Sequence, residues 1–397
     1  MKEGWSYKKL GEVCETLNGL WKGKKPPFVN VGVIRNANFT KDFTLCFDNI
    51  EYLDVEERQY SKRKLQKGDL IVEKSGGSEK QPVGRAVLFD KENGEFSFSN
   101  FTSVLRIRDK NTFLCEFLYK YLLFIYKRGD TSAMQKATTG IHNIEFEKYL
   151  NIDIPCIPLS EQHSIVSRLD SAFSHIDALK ANAEKQLNEA RKLFQAELTE
   201  CMKPKEGWEE KKIGDVFQTY AGGTPLKSGK GYYEGGTIPW IRSGEVCQMY
   251  IRDCEMCITE EGMKNSSAKY YPVDTILVAM YGATAAQVGI LKFEATSNQA
   301  VCGILPHKDF IPEYIYYWFT NIQKDLAAQA QGGAQPNLSQ VKIKKVSISY
   351  PSRTIQHSIV SHLDSLSSTI RKLEELQQKT LAECDALKQA MLREVFE

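Results

Sequence analysis

The chain is written twice, and that duplication limits what it can fold into more than any other feature. Lys2-Glu3-Gly4-Trp5 opens KEGWSYKKLGEVCET, and Lys205-Glu206-Gly207-Trp208 opens KEGWEEKKIGDVFQT about 200 residues later. EQHSIVSRLD, from Glu161, returns as IQHSIVSHLD from Ile355. Between these anchors, weaker echoes keep the same order. Residues 68–72 (GDLIV) answer 273–277 (VDTIL), and Val83-Gly84 answers Val288-Gly289. Ser99-Asn100 answers Ser297-Asn298, and Asn143-Ile144 answers Asn337-Leu338. Each copy thus holds a variable block of about 150 residues and then a near-repeated block of about 45. The expected divisions are 1–157, 158–203, 204–350 and 351–397.

The variable blocks mix short β-branched or aromatic runs with turn residues. FVNVGVI (28–34), DLIVEK (69–74), RAVLF (85–89) and SVLRIR (103–108) read as strands in the first block. TILVAM (275–280), GILKF (289–293) and VSISY (346–350) read likewise in the second. Helical spacing intervenes over 114–127 and 312–329. Each block is expected to be a mixed α/β (α+β) domain.

The repeated blocks differ in kind. From Ser160, apolar residues step by three or four through Ile165, Leu169, Phe173, Ile176, Leu179, Ala183, Leu187, Ala190, Phe194 and Leu198. From Thr354 they run Ile359, Leu363, Leu366, Ile370, Leu373, Leu376, Leu387, Met391 and Val395, with Thr380 and Cys384 in the seam. Neither run has an internal Pro or Gly, and Pro158 and Pro351 stand just before them. The spacing predicts two helices of about 40 residues, roughly 60 Å each. Such a stripe needs a partner helix, and the other copy is the nearest one. The expectation is a pseudo-two-fold pair of antiparallel coiled-coil helices with a domain at either end, a shape suited to bipartite targets.

Composition excludes little. Fifty-two Lys+Arg against 50 Asp+Glu leave a formal charge of +2, so distribution rather than total must point to a partner. No apolar run approaches 18 residues, and MKEGWSYKKLGEV has neither the apolar core nor the cleavage site of a secretory signal. Ten scattered cysteines suit buried thiols in a reducing compartment, so a cytoplasmic protein is expected.

At this point the residues carry a resemblance. GDVFQTYAGGTP (214–225), IPWIRSGEV (238–246), ILVAMYGATAAQVGI (276–290), SNQAVCGI (297–304), GGAQPNLSQ (332–340) and the repeated QHSIVS helix start occur in that order. The chain resembles specificity subunits of type I restriction–modification systems over essentially its whole length. The first block matches less closely, with LNGLWKGKKPPFVNVGVIRNANF where the second has YAGGTP and IPWIRSGEV. The resemblance implies two target-recognition domains that each read one half of an asymmetric, interrupted DNA sequence. It implies spacer helices that dock two adenine-methylating modification subunits, which restriction (translocase/nuclease) subunits can join. It implies no catalysis by this chain; S-adenosylmethionine, ATP and Mg²⁺ would belong to the partner subunits.

Enzymatic signatures are missing. Lys25-Pro26-Pro27-Phe28 has the tail of an adenine-methylase motif, but a lysine stands where a polar acceptor must hold the flipped base. Residues 223–231 (GTPLKSGKG) imitate a phosphate loop with the wrong glycine spacing and no Ser/Thr for Mg²⁺. Cys254 and Cys257, with Cys247 nearby, lack a second ligand pair at zinc spacing, so no metal site is expected. His163 and His357 recur at equivalent helix positions, which suits packing, a hydrogen bond or a partner contact. The competing readings are a duplicated coiled-coil scaffold without DNA contact and a specificity subunit of a methylation-only system.

Base reading needs Arg, Lys, Asn, Gln, Ser or Thr on loops that can enter a groove. The second block offers Thr224, Lys227, Lys230, Arg242, Ser243, Tyr281, Thr284, Gln287, Asn298, Gln299, Gln335 and Asn337. The first offers Lys22, Lys24, Lys25, Arg35, Asn36, Lys74, Ser75, Lys80, Thr139, His142 and Asn143, with a further basic run at Lys62, Arg63, Lys64 and Lys67. Lys342, Lys344 and Lys345 suit phosphate contact or solvent.

Overall fold

The computed structural model describes every residue except 1, 3, 21, 80, 139, 140, 227–230 and 330–337. The chain forms two compact units, Met1–Ala183 with Gln378–Glu397, and Glu184–Gln377. These divisions fall inside the two long helices. Each unit therefore takes one variable block, part of the helix that follows it and part of the other helix.

In the first unit, strands Cys14–Asn18, Thr102–Ile107, Leu70–Glu73 and Ala86–Leu88 form an antiparallel sheet in that spatial order. Phe28–Ile34 lies between Glu51–Glu56 and, in parallel, Phe96–Phe98. Glu51–Glu56 pairs on the other edge where sequence reading placed no strand. Gln135–Thr138, Ile141–Ile144 and Ser75–Gly77 make a third small sheet. Ser6–Lys9 pairs with Asp153–Cys156 and closes the head. The helix Cys115–Arg128 covers the sheet and stops where Gly129 turns left-handed (φ 93°), its N–H reaching the Ile125 and Tyr126 carbonyls.

The second unit repeats the plan. Thr219–Ala221, Val301–Ile304, Ile276–Ala279 and Val288–Leu291 take the same order, with Tyr250–Ile251 added at the edge. Ile238–Ile241 lies between Cys257–Ile258 and Thr296–Ser297, and Glu209–Lys212 closes on Ser347–Tyr350. The expected helix over 312–329 is two helices, Pro312–Asn321 and Gln323–Gln329. Ile322 (φ −94°, ψ 5°) leaves the helical region between them, beside Asn321, whose Oδ1 accepts the Thr199 hydroxyl at 2.9 Å.

The long helices run Leu159–Met202 and Arg353–Phe396. In the first unit Asp177 meets Lys388 and Lys180 meets Asp385, at 2.5 and 2.6 Å; in the second Arg191 meets Glu374 at 2.6 Å. Partner numbers fall as numbers rise, so the helices are antiparallel in each unit. The C-terminal end of the other helix plugs each head. Phe396 packs edge-on among Trp5, Phe117 and Tyr121, and Leu198 and Met202 are buried in the second core. Leu179, Leu376 and Leu387 depart from the expected stripe and are exposed, whereas Cys384 is buried. A 3.6-residue helix drifts away from a three-or-four step over many turns, which moves single positions out of the seam.

Both helix starts are locked by a fully buried glutamine. Gln162 Nε2 donates to the Thr112 and Ile157 carbonyls at 2.8 and 2.9 Å, and its Oε1 accepts the Leu114 N–H at 2.9 Å. Gln356 repeats this with the Asp309 and Pro351 carbonyls, both at 2.9 Å, and the Ile311 N–H at 3.0 Å. Two turns on, Asp170 takes Lys120 and Asp364 takes the Tyr317 hydroxyl, each at 2.6 Å. His163 and His357 are exposed, so packing at the helix start is done by their glutamine neighbours.

Candidate nucleic-acid interface

In the first head, three distant segments meet at the small sheet. Ser75 pairs with Asn143 across it, with a bulge between His142 and Asn143, and the Ile144 N–H reaches the Lys74 carbonyl at 2.9 Å. The Asn36 amide donates to the Ser75 carbonyl at 2.5 Å, and the Ser75 hydroxyl donates to Asn143 Oδ1. Arg35 is held at Glu51, and its N–H is accepted by Asn38 Oδ1 at 2.9 Å. Burial pushes the Lys74 ammonium below its ordinary range. Arg35, Asn36, Lys74, Ser75, His142 and Asn143 therefore form one patch.

Lys22, Lys24 and Lys25 sit on a separate exposed loop, whose Lys24 and Lys25 N–H groups are gathered by the Glu56 carboxylate at 3.3 and 3.4 Å. The methylase-like tail Lys25–Phe28 is the turn into a strand. Much of the basic run is paired locally on the surface of the head. Arg63 bonds the Asn18 carbonyl, Lys64 pairs with Glu95 at 3.1 Å, and Lys67 with Glu92 at 2.5 Å.

In the second head four loops converge. Gly223 N–H donates to the Ser297 carbonyl at 2.9 Å, Asn298 N–H to Ile241 at 3.0 Å, and Met280 N–H to Ala300 at 2.7 Å. The Thr224 hydroxyl donates to Gln299 Oε1, and Asn298 Oδ1 accepts the Ala300 N–H at 3.1 Å. A Cβ on Gly222 would lie 2.2 Å from the Asn298 carbonyl oxygen, so only glycine permits this approach. Arg242 is held by Glu245 and Glu255, with Ser243 beside it. Tyr281 and Thr284 stand on the adjoining loop, and the Thr284 hydroxyl bonds the Tyr281 carbonyl at 3.4 Å. Lys80, Thr139, Lys227, Lys230, Gln335 and Asn337 lie outside the described residues.

Matching bonds superpose the heads and correct three of the sequence echoes. Gly84 and Ala286 both have positive φ (100° and 68°), and their N–H groups reach Glu73 and Ala279 at 2.9 and 2.8 Å. Gly84 thus answers Ala286, not Gly289. Gly68 answers Asp274 by the same test, and Ser99 answers Asn298, each one residue from the sequence alignment. Runs of Val, Gly and Ser give too little identity to fix register. The Asn143-Ile144 echo holds, since Leu338 N–H reaches the Met280 carbonyl at 2.8 Å as Ile144 reaches Lys74.

On this frame Arg35 matches Arg242, Ser75 matches Tyr281, and Arg85 matches Gln287. Arg85 makes a buried two-bond pair with Glu73, at 2.8 and 3.1 Å. Sequence reading missed that pair, and it missed exposed Phe101 beside Ser75. A strand glutamate and a nearby arginine carry no sign that they will meet.

Seven buried side-chain polar atoms lack a hydrogen-bond partner among the described residues, and four belong to the candidates: Arg35 Nε, Asn36 Oδ1, His142 Nδ1 and Gln287 Oε1. Each such atom costs about 1–3 kcal/mol, which a polar ligand can recover. The loops thus offer arginines, amides, a hydroxyl and exposed aromatics on a glycine-tightened frame, the groups that read base edges. Burial first, then Cys257, pushes the Cys254 thiol up, and among the described residues no third ligand stands close to Cys254 and Cys257. No helix among the described residues is long and apolar enough to cross a membrane.

The family model for the type I restriction modification DNA specificity domain matches twice, over residues 2–189 and 205–382. The chain is 27% identical over 294 residues to the EcoR124I/EcoR124II specificity subunit of Escherichia coli, covering 71% of each chain. It is 25% identical to the EcoKI specificity subunit of E. coli K12, covering 100% of this chain and 89% of that one. Its fold matches a chain solved for "Structural basis underlying complex assembly and conformational transition of the type I R-M system", with TM-score 0.81, 18% identity and coverage of 100% and 98%. It also matches the HsdS subunit from Thermoanaerobacter tengcongensis, with TM-score 0.58, 18% identity and coverage of 100% and 97%. The chain belongs to the type I restriction–modification specificity subunits and carries two copies of their DNA specificity domain.

Proposed function

We propose that this chain is a non-catalytic reader of a bipartite, asymmetric DNA target. Each head takes one half-site, and the paired helices set the accepted spacing. Two adenine-N6 methyltransferase subunits dock on it, restriction subunits can join them, and the assembly works in the cytoplasm. The observation that carries this reading is the contrast within the loops. The same backbone bonds present Ser75 in one head and Tyr281 in the other, so two similar frames carry different reading groups. Phosphate contacts would orient each head and base edges would specify its half-site. The partner would receive one extruded adenine from each half.

Docking of two identical partners is supported by the helix starts. His163, Ser164 and Ser167 recur as His357, Ser358 and Ser361, and in both copies the histidine and serines face solvent wholly or in part. Core packing does not require exposed residues to stay identical in both copies. S-adenosylmethionine, ATP and Mg²⁺ are assigned to the partner subunits.

The test is duplex binding by the assembled complex, with affinity falling steeply as salt rises. The purified chain with S-adenosylmethionine and DNA should methylate nothing. Salt-independent or absent binding by the complex favours a scaffold without DNA contact. Methylation by the chain alone overturns the non-catalytic reading.

A further inference from the structure

In the second unit the two long helices bring together three side chains that each offer one metal-ligating atom. Glu197 and Cys201 stand one turn apart on the first helix, and His362 faces them from the second. His362 Nε2 lies 3.0 Å from Glu197 Oε1, and Cys201 Sγ lies 3.7 Å from the same oxygen. All three ligand atoms fall within 4.8 Å of one another. Ligands about 2.0–2.3 Å from a tetrahedral ion are separated by about 3.3–3.5 Å, close to the spacing found here.

The helix repeat supplies an internal control. The equivalent positions in the first unit hold Met391, Val395 and Arg168, and the Arg168 guanidinium instead reaches Glu394 at 3.6 Å. All three donors are therefore absent from the sister position together, and the trio is not a by-product of the shared helical pattern.

We infer that Glu197, Cys201 and His362 bind one borderline-soft divalent transition metal, of the Zn²⁺ class, and staple the two helices of the second unit. Thiolate, imidazole and carboxylate donors favour zinc, cobalt or nickel over magnesium or calcium. Three protein ligands leave the fourth position to water, so the ion is exchangeable. Binding replaces the Cys201 thiol proton by a metal–sulfur bond, and one proton leaves for each ion taken up. Because the folded helix pair offers this site and the unfolded chain does not, the ion stabilises the unit by mass action.

The experiment titrates the full-length, chelator-stripped chain with cobalt(II) chloride and follows the thiolate-to-cobalt charge-transfer band. Thermal unfolding is measured in parallel with zinc chloride and with magnesium chloride. One cobalt per chain is expected, with a band abolished in Cys201→Val and an affinity at least about tenfold weaker in His362→Arg. Both substitutions install the residue already present in the first unit, and a matching circular dichroism spectrum checks that they fold. Zinc, but not magnesium, should raise the unfolding temperature of the unaltered chain and leave that of His362→Arg where it was. The proposal fails if uptake does not saturate near one ion, if the band persists in Cys201→Val, or if it vanishes only in Cys254→Ser.

Discussion

The helix starts and the reading loops are two regions written twice in the same chain, and they have diverged in opposite ways. At the helix starts, Gln162 and Gln356 make the same three bonds to the same backbone positions, with lengths matching within 0.1 Å. At the loops the backbone bonds match, but the side chains they present differ almost throughout. Glu73 and Arg85 correspond to Ala279 and Gln287, and Ser75 corresponds to Tyr281. What holds a head to its helix is kept, and the groups at matching loop positions, buried Glu73 and Arg85 as well as Ser75, are changed. That pattern is what the proposed function asks of two copies that dock alike and read differently.

The sharpest way to break this comparison is at the buried ion pair that only the first head contains. Glu73→Ala strands Arg85 in the interior and should cost about 3–5 kcal/mol in denaturant unfolding. Adding Arg85→Gln copies the second head's Ala279 and Gln287 and should recover most of that loss. A double variant as unstable as the single one would show that the heads are not interchangeable frames.

The glutamine locks come next. Gln162→Leu and Gln356→Leu each leave one N–H and two carbonyls unpaired, so each should cost about 3 kcal/mol in the same measurement. Equal costs support the equivalence, whereas a harmless substitution at either position removes it. Gly19→Ala and Gly222→Ala follow at about 1–3 kcal/mol. Their added Cβ atoms would lie 2.1 and 2.2 Å from the carbonyl oxygens of Ser99 and Asn298, and binding should weaken for one half-site in each case. The smallest effect belongs to the helix surface. Lys180 pairs with Asp385, while at the equivalent positions the charges are reversed as Glu374 and Arg191. Lys180→Glu alone should cost no more than about 1 kcal/mol, and Lys180→Glu with Asp385→Arg should restore stability.

Much of this fold was legible in the sequence because period and punctuation carry it. The strand over 28–34 and both long helices follow from β-branched runs, unbroken apolar steps and flanking prolines. The locks were not legible. The repeated QHS drew attention to histidine because histidine carries chemistry, yet burial falls on the glutamine one residue earlier. Long-range polar pairing decides that, and no local pattern encodes it. The break at Ile322 and the register of the weaker echoes escaped for the same reason. At the candidate site, sequence alone named polar loops; the fold joined residues 35–36, 74–75 and 142–143 into one patch and paired the exposed Lys64 and Lys67 with acidic neighbours.

Mapping methylated adenines across the genome of cells that carry the chain with its partner subunits tests the central claim most directly. The unaltered chain is compared with Asn36→Ala/Ser75→Ala in the first head and with Tyr281→Ala/Gln287→Ala in the second. The account predicts one interrupted target sequence, with the first pair relaxing one half and the second pair the other. A pair that altered both halves together, or a target untouched by either pair, would contradict it.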